Sequence, residues 1–211
     1  MADETDGTDD LARRAAAGDP TAWQGLIAAT RDRLRRMVQL RLNRRLQGRV
    51  DADDVLQEAY LEMHRQIPGY AADPGLPFFL WARHLTGLKL AEVHRRHLGT
   101  QMRDAAQEVT LHRGGVPEAD SASLAARLMG ALTSPSQAAV KAEMRLLVQD
   151  ALVRMDPLDR EVLALKHFEQ LSLAEMAEVL GMSKAGVGHR YLKAIKRLRD
   201  LLEQTPGFPG L

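Results

Sequence analysis

A series of helix starts constrains this chain more than any other feature, because each is written in a few residues and followed by apolar positions at three-to-four spacing. Asp19-Pro20 sets a capping side chain before a proline at the first helical position, where the missing N–H costs nothing. Asp51 and Asp54 stand in capping-box spacing ahead of an apolar stripe of Val55, Leu56, Ala59, Tyr60, Met63 and Ile67. Ser134-Pro135-Ser136-Gln137 and Asp156-Pro157-Leu158-Asp159 repeat the cap-plus-proline signal, Ser172-Leu173-Ala174-Glu175 is a complete capping box, and Ser183 opens a last helix reaching about Leu202. Aromatic residues make up only 4% of the chain, which disfavours a sandwich or barrel, and the abundant Ala, Leu, Arg, Glu and Met are good helix formers. The expected fold class is all-α.

The stops divide it. Pro68-Gly69 should end the helix begun at Asp51, and a further helix from about Phe78 to His97 should close at Gly99. Between Thr100 and Thr133 the periodicity weakens, Gly114-Gly115 and Pro117 interrupt it, and a linker with at most one short helix is expected. The 211 residues therefore read as an acidic disordered lead over 1–10, a helical domain over 11–99, a linker over 100–133, a second helical domain over 134–204, and a short tail over 205–211. With no cysteine there is no disulfide, thiol catalysis or thiolate metal site. No apolar run approaches the ~18 residues of a bilayer span and the N-terminus is polar, so a cytoplasmic protein is expected.

The net charge of +1 conceals a segregation. Arg31, Arg33, Arg35, Arg36, Arg41, Arg44, Arg45 and Arg49 face a single acid, Asp32, along an amphipathic segment with Leu34, Met37, Val38, Leu42 and Leu46 inward. Lys184, Arg190, Lys193, Lys196, Arg197 and Arg199 form a second basic run, while acids collect in the lead and at Asp51, Asp53, Asp54, Glu58 and Glu62. Two basic runs, one of them at the end of a helix–turn–helix, point to nucleic acid.

That motif spans Ser172 to Lys193. Leu173, Met176, Ala177 and Leu180 should pack inward, Gly181 should supply the positive φ of the turn, and Val187, Tyr191 and Leu192 should complete the core. Ser183, Lys184, His189 and Arg190 would then reach a major groove while Lys193, Lys196 and Arg197 hold backbone. An ordinary αα-hairpin is the competing reading. Gly186 and Gly188 each cost a helix interior about 1 kcal/mol and offer no side chain to a base, so binding by this domain alone should be weak.

Asp54-Val-Leu-Gln57-Glu58-Ala-Tyr-Leu, Phe78-Phe-Leu-Trp81 with Arg95-Arg96 at the far end of the same helix, and a C-terminal helix–turn–helix ending Arg190-Tyr-Leu-Lys-Ala-Ile-Lys-Arg-Leu-Arg together resemble a bacterial RNA polymerase sigma factor of the extracytoplasmic-function group. The resemblance covers about residues 11–98 and 140–203. It implies a non-enzymatic, cofactor-free subunit that binds core RNA polymerase, directs it to promoters and helps melt the DNA. On this resemblance the N-terminal domain grips the clamp-helix coiled coil of the β′ subunit through Asp54, Gln57 and Glu58, an acidic face suited to arginines on a partner helix. Trp81 aligns with the melting aromatic, and Arg83, His84, Lys89, His94, Arg95 and Arg96 would track the minus-ten strand. Ser183, Lys184, His189, Arg190, Lys193 and Arg197 would meet the minus-thirty-five element, and an anti-sigma factor is a further candidate partner. The family's usual Asn seven residues after the Trp is Leu88 here, its usual Thr before the recognition-helix Val is Gly186, and its usual cation after that Val is Gly188.

Two alternatives come from other classes. An autonomous helix–turn–helix regulator would bind a symmetric operator tightly without polymerase. A hydrolase built on Asp53, Asp54 and Glu58 would need a nucleophile–base pair or phosphate loop that the sequence lacks. The His94–His97 pair shares a helix face but lies among arginines, which favours a basic segment over a metal site, and no metal is expected.

Overall fold

The computed structural model describes residues 2–46, 48–98, 116–132, 138–206 and 208, and the regular elements among them are helices. It resolves into two compact units, Met1–Pro117 and Glu118–Leu211. The first holds α1 (Ala2–Ala16), α2 (Pro20–Arg41), a 3-10 turn (Arg44–Leu46), α3 (Ala52–Ala72) and α4 (Phe78–Leu98). The second holds α5 (Ser121–Leu132), α6 (Ala138–Val153), α7 (Pro157–His167), α8 (Leu173–Leu180) and α9 (Lys184–Glu203).

Local chemistry sets the starts as the sequence indicates. Asp19 accepts from the Thr21 and Ala22 amides, Asp156 from Leu158, and Ser183 from Gly186, while Asp51–Asp54 and Ser172–Glu175 form reciprocal capping boxes. The Ser134 cap lies outside the described residues. In the first unit the inward stripes of α2 (Leu26, Leu34, Met37, Val38) and α3 (Val55, Leu56, Ala59, Met63, Ile67) meet Phe78, Ala82, Leu90 and Val93 of α4.

Three expectations need correction. The acidic lead is not a disordered segment: it forms the first turns of α1, which packs on α2, α3 and α4. Pro68-Gly69 does not stop α3, which runs on to Ala72. Both residues are exposed, and the further turn buries Tyr70 against Phe78 and Trp81, offsetting the roughly 3 kcal/mol cost of an interior proline. The one short helix allowed in the linker is α5, but it packs on α6 as part of the second unit, which therefore begins at Glu118 and not at Ser134.

Val116 and Pro117 are part of the first unit. Arg41, only 2% exposed, donates through Nη1 to the Pro117 carbonyl at 2.7 Å, and Val116 lies across α4 at Gly87. A Cβ at Gly87 would stand 2.5 Å from a Val116 methyl, so this helix interior accepts glycine for close approach. Gly87→Ala is therefore expected to destabilise the first unit by about 1–2 kcal/mol, the overpacking cost less the gain in helix propensity. Adding Val116→Ala should return much of the loss, as read by urea unfolding.

Candidate nucleic-acid and polymerase interfaces

On α3, Asp54 and Gln57 are exposed and Glu58 is half-buried. Asp54 is already engaged locally, since its Oδ2 accepts from the Asp51 amide at 3.0 Å. Gln57 lines a groove of about 590 Å3 between α2 and α3, together with Trp23, Leu56, Tyr60, Leu61 and His64, with Arg31 and Asp53 at one side. The Trp23 and His64 rings meet edge to face at 5.0 Å, and Leu61 stands 57% exposed. Of the three positions only Gln57 lines this apolar recess; Asp54 is held in its cap and Glu58 turns to Arg96 of α4. Trp23, Leu61 and His64 escape the sequence reading because they lie off the buried stripe, and Leu61 is visible in retrospect as an apolar residue out of phase with it.

The arginines of α2 are not a uniformly solvated outer face. Arg31 and Arg35 both pair with Asp53 at 3.2 and 3.3 Å, Arg33 stacks over the Phe79 ring at 3.5 Å, and Arg41 is buried. Asp53 therefore ties α3 to α2.

The minus-ten candidates on α4 separate into two faces. Arg83 and His94, each 3% exposed, lie on the buried stripe with Gly87 and Leu90, so neither is placed to track a strand's phosphates. His94 Nε2 accepts from the Asn43 amide at 3.2 Å, and burial pushes its pKa down to about 4, so it is neutral at pH 7. His84 is half-buried and also lowered, first by burial and then by the Arg83 charge. The outward stripe runs Trp81, His84, Leu88 and Arg95. Trp81 is half-buried, one face stacked on Tyr70 at 4.6 Å, and the Tyr70 hydroxyl donates to the Leu76 carbonyl at 2.9 Å, which closes the α3–α4 connection. Lys89 bonds Glu92 at 3.1 Å, and Arg96 bonds Glu58 and Glu92.

In the second unit α8 and α9 form the expected helix–turn–helix, with Gly181 at φ 61° in the turn. Met176, Leu180, Val187 and Ala194 are buried, but Leu192 is 68% exposed and does not belong to the core. Arg190 is turned inward. Its Nε and Nη2 reach Asp159 and Asp156 at 2.5 and 2.6 Å, and Asp159 is only 4% exposed. It joins the recognition helix to the N-terminus of α7 instead of presenting a free cation. Ser183 is committed to its cap on Gly186. Lys184, His189, Lys193, Lys196, Arg197 and Arg199 are exposed and make no ion pair among the described residues. A Cβ at Gly188 would meet nothing within 4 Å, and nothing in the structure explains that glycine.

The model for sigma-70 region 4 matches residues 145–198, the span that contains the helix–turn–helix. The ECF RNA polymerase sigma factor ShbA of Streptomyces griseus is 30% identical over 207 residues, covering 96% of this chain and 98% of that protein. The chain belongs to the ECF sigma factors. SigD of Mycobacterium tuberculosis, another ECF sigma factor, is 26% identical over 91% of this chain and 82% of its own length. The fold also matches that of CnrH, solved in complex with the cytosolic domain of CnrY, at a TM-score of 0.55, 20% identity, and coverage of 93% and 97% of the two chains. As a sigma factor the protein directs RNA polymerase to promoters and is not itself an enzyme. Among the described residues no cluster of His, Asp or Glu could hold a metal, and no helix is long and apolar enough to cross a membrane.

Two tests follow from the buried polar groups. The unfolded His94 titrates near 6.5 and the folded one near 4, so its stabilising contribution is whole above about pH 6.5 and is lost as pH falls toward 4, by roughly 1.4 kcal/mol per pH unit. His94→Gln should flatten that part of the stability–pH curve, measured by urea unfolding between pH 7 and 5. Arg190→Ala leaves the Asp159 carboxylate buried and should cost roughly 2–3 kcal/mol in the second unit. An unchanged melting temperature would remove the structural role of that pair.

Proposed function

We propose that the groove between α2 and α3 and its polar rim form the seat for core polymerase, and specifically for the clamp-helix coiled coil of the β′ subunit. What carries this reading is Gln57, which lines an apolar recess beside the exposed Leu61, with Asp54 and Glu58 on the adjoining faces of the same helix. An interface of this kind anchors an apolar side chain in the recess and sets register with charges around it. Arginines on the partner helix suit Glu58 and Asp54. The region 11–99 then acts as the polymerase- and minus-ten-binding domain, with Trp81, His84, Arg95 and Arg96 facing the opened strand and Lys89 partly available. Arg83 and His94 support that surface from beneath.

The helix–turn–helix reads the minus-thirty-five element through the exposed side of α9, where Lys184, His189, Lys193 and Arg197 are free to meet DNA. Arg190 aims this helix through Asp156 and Asp159, so its removal weakens binding to any duplex. The protein works in the cytoplasm, where polymerase and promoter are. An anti-sigma factor that covers the polymerase groove would silence it.

The groove reading is tested by retention of the protein on immobilised core polymerase. Leu61→Glu alone, and Gln57→Ala with Glu58→Ala, should each weaken retention about ten-fold or more with little change in the unfolding curve, because these side chains are largely outside the core. Full retention by both variants would exclude the groove. In transcription with core polymerase, Trp81→Ala should reduce permanganate reactivity of the melted strand more than duplex recruitment.

A further inference from the structure

The side chains assigned above to polymerase and to promoter belong to adjacent helices, and one ion-pair network joins them. Arg96 addresses both oxygens of Glu58, Nη1 to Oε1 at 3.1 Å and Nη2 to Oε2 at 3.4 Å, and the same Nη2 bonds Glu92 Oε1 at 3.1 Å. Lys89 bonds the other oxygen of Glu92 at 3.1 Å and stands 3.8 Å from Glu62. The side chains of Glu58 and Arg96 are 38% and 49% exposed, so each can be reached from solvent. Arg95, one residue earlier on α4 and also exposed, makes no ion pair among the described residues. Of the two arginines at the end of α4, one is therefore available to a phosphate and the other has its charge offset by two carboxylates.

We propose that Glu58 is a latch on Arg96: in the free protein it holds the guanidinium against α3, and a cationic side chain of core polymerase that takes Glu58 releases Arg96 to the promoter strand. The proposal rests on the assignment of Glu58 to the polymerase interface. A second cation on the same carboxylate repels the first and draws off the charge that held it. Glu92 sits one helical turn before Arg96 and keeps its hold, so the freed side chain stays directed along α4. An exposed pair is weak and salt-screened, which suits a contact that must be exchanged. Because coupling is reciprocal, promoter DNA that captures Arg96 leaves Glu58 freer for polymerase by the same factor. Arg96 then adds one phosphate contact to the holoenzyme that the free protein lacks, which steepens the salt dependence of DNA binding.

Fluorescence anisotropy with a labelled single-stranded oligonucleotide and the full-length protein, without polymerase, reads the latch directly. Glu58→Gln should tighten binding by about 2- to 5-fold at low salt, the range an exposed pair permits. In an Arg96→Ala background the same substitution should give no gain. Glu62→Gln, which removes an equal charge from α3 but no bond to Arg96, should give a gain that does not depend on Arg96. With saturating core polymerase the advantage of Glu58→Gln should vanish, because Glu58 is then occupied in the wild type. No detectable gain, an equal gain with and without Arg96, or a gain that persists in the holoenzyme would each overturn the proposal. Retention of Glu58→Gln on core polymerase is measured in parallel. Wild-type retention there would remove Glu58 from the polymerase interface, whereas the anisotropy cycle reports on its bond to Arg96 whatever that result.

Discussion

The packing of Tyr70 on Phe78 and Trp81 governs the geometry of the whole first unit. It lies where α3 hands over to α4, and the Tyr70 hydroxyl bond to the Leu76 carbonyl closes the intervening turn. The groove on one side of α3 and the outward stripe of α4 are joined through this aromatic, hydrogen-bonded connection. It also explains why α3 tolerates Pro68. A helix that ended at Pro68 would leave Tyr70 outside the joint and Trp81 without the ring it stacks on, and the aromatic contacts would be forfeited along with the last turn.

Burial decides what each arginine does. Arg41 and Arg83 are withdrawn from solvent, and Arg41 holds the Val116–Pro117 segment to the α4 face. Arg31 and Arg35 hold α3 through Asp53, and Arg190 holds α9 through Asp156 and Asp159. Guanidinium suits these positions because its fixed fork satisfies a carboxylate or carbonyl from a planar, weakly hydrated group. Among the described residues the exposed cations without an ion pair include Lys184, Lys193, Lys196, Arg197 and Arg199 on the last helix, besides Arg44, Arg45, Arg49 and Arg95 in the first unit. The basic run in α2 and the basic run in α9 look alike in sequence, yet the first is largely cement and the second is largely surface.

That contrast marks how far the sequence could be read. Helix starts were legible because a cap depends on a side chain and an amide two or three residues on, and Asp19, Asp51, Asp156, Ser172 and Ser183 all act as their spacing indicates. The class, the helix–turn–helix and the family followed from these and from the motif order. What was not legible depended on partners far along the chain. Arg83 and His94 look DNA-facing in sequence because they are cationic types on a helix with outward arginines. They lie on the stripe of α4 that carries Gly87 against Val116, and His94 accepts from the Asn43 amide, 51 residues before it. Arg190 in the same way has the sequence position of a groove contact, to phosphate or base, and its two aspartates lie 31 and 34 residues upstream. The helical lead was missed because α1 is stabilised by docking, not by its own polar sequence.

The net charge of +1 thus conceals three kinds of charge: fixed pairs, unpaired cations and exchangeable pairs. Buried or half-buried pairs such as Arg190–Asp159 are fixed parts of the fold, since breaking one strands a charge away from water. Unpaired cations on α9 contribute a field at all times, attenuated only by salt. Exposed pairs such as Arg96–Glu58 are in between: they cancel at a distance, yet either member can be taken by a partner at little cost. A protein that must address a negatively charged polymer and a protein surface in turn gains most from the third kind. The Arg96–Glu58 pair adds little long-range attraction to nucleic acid until a partner engages one side of it, while the last helix supplies an attraction that does not depend on that engagement.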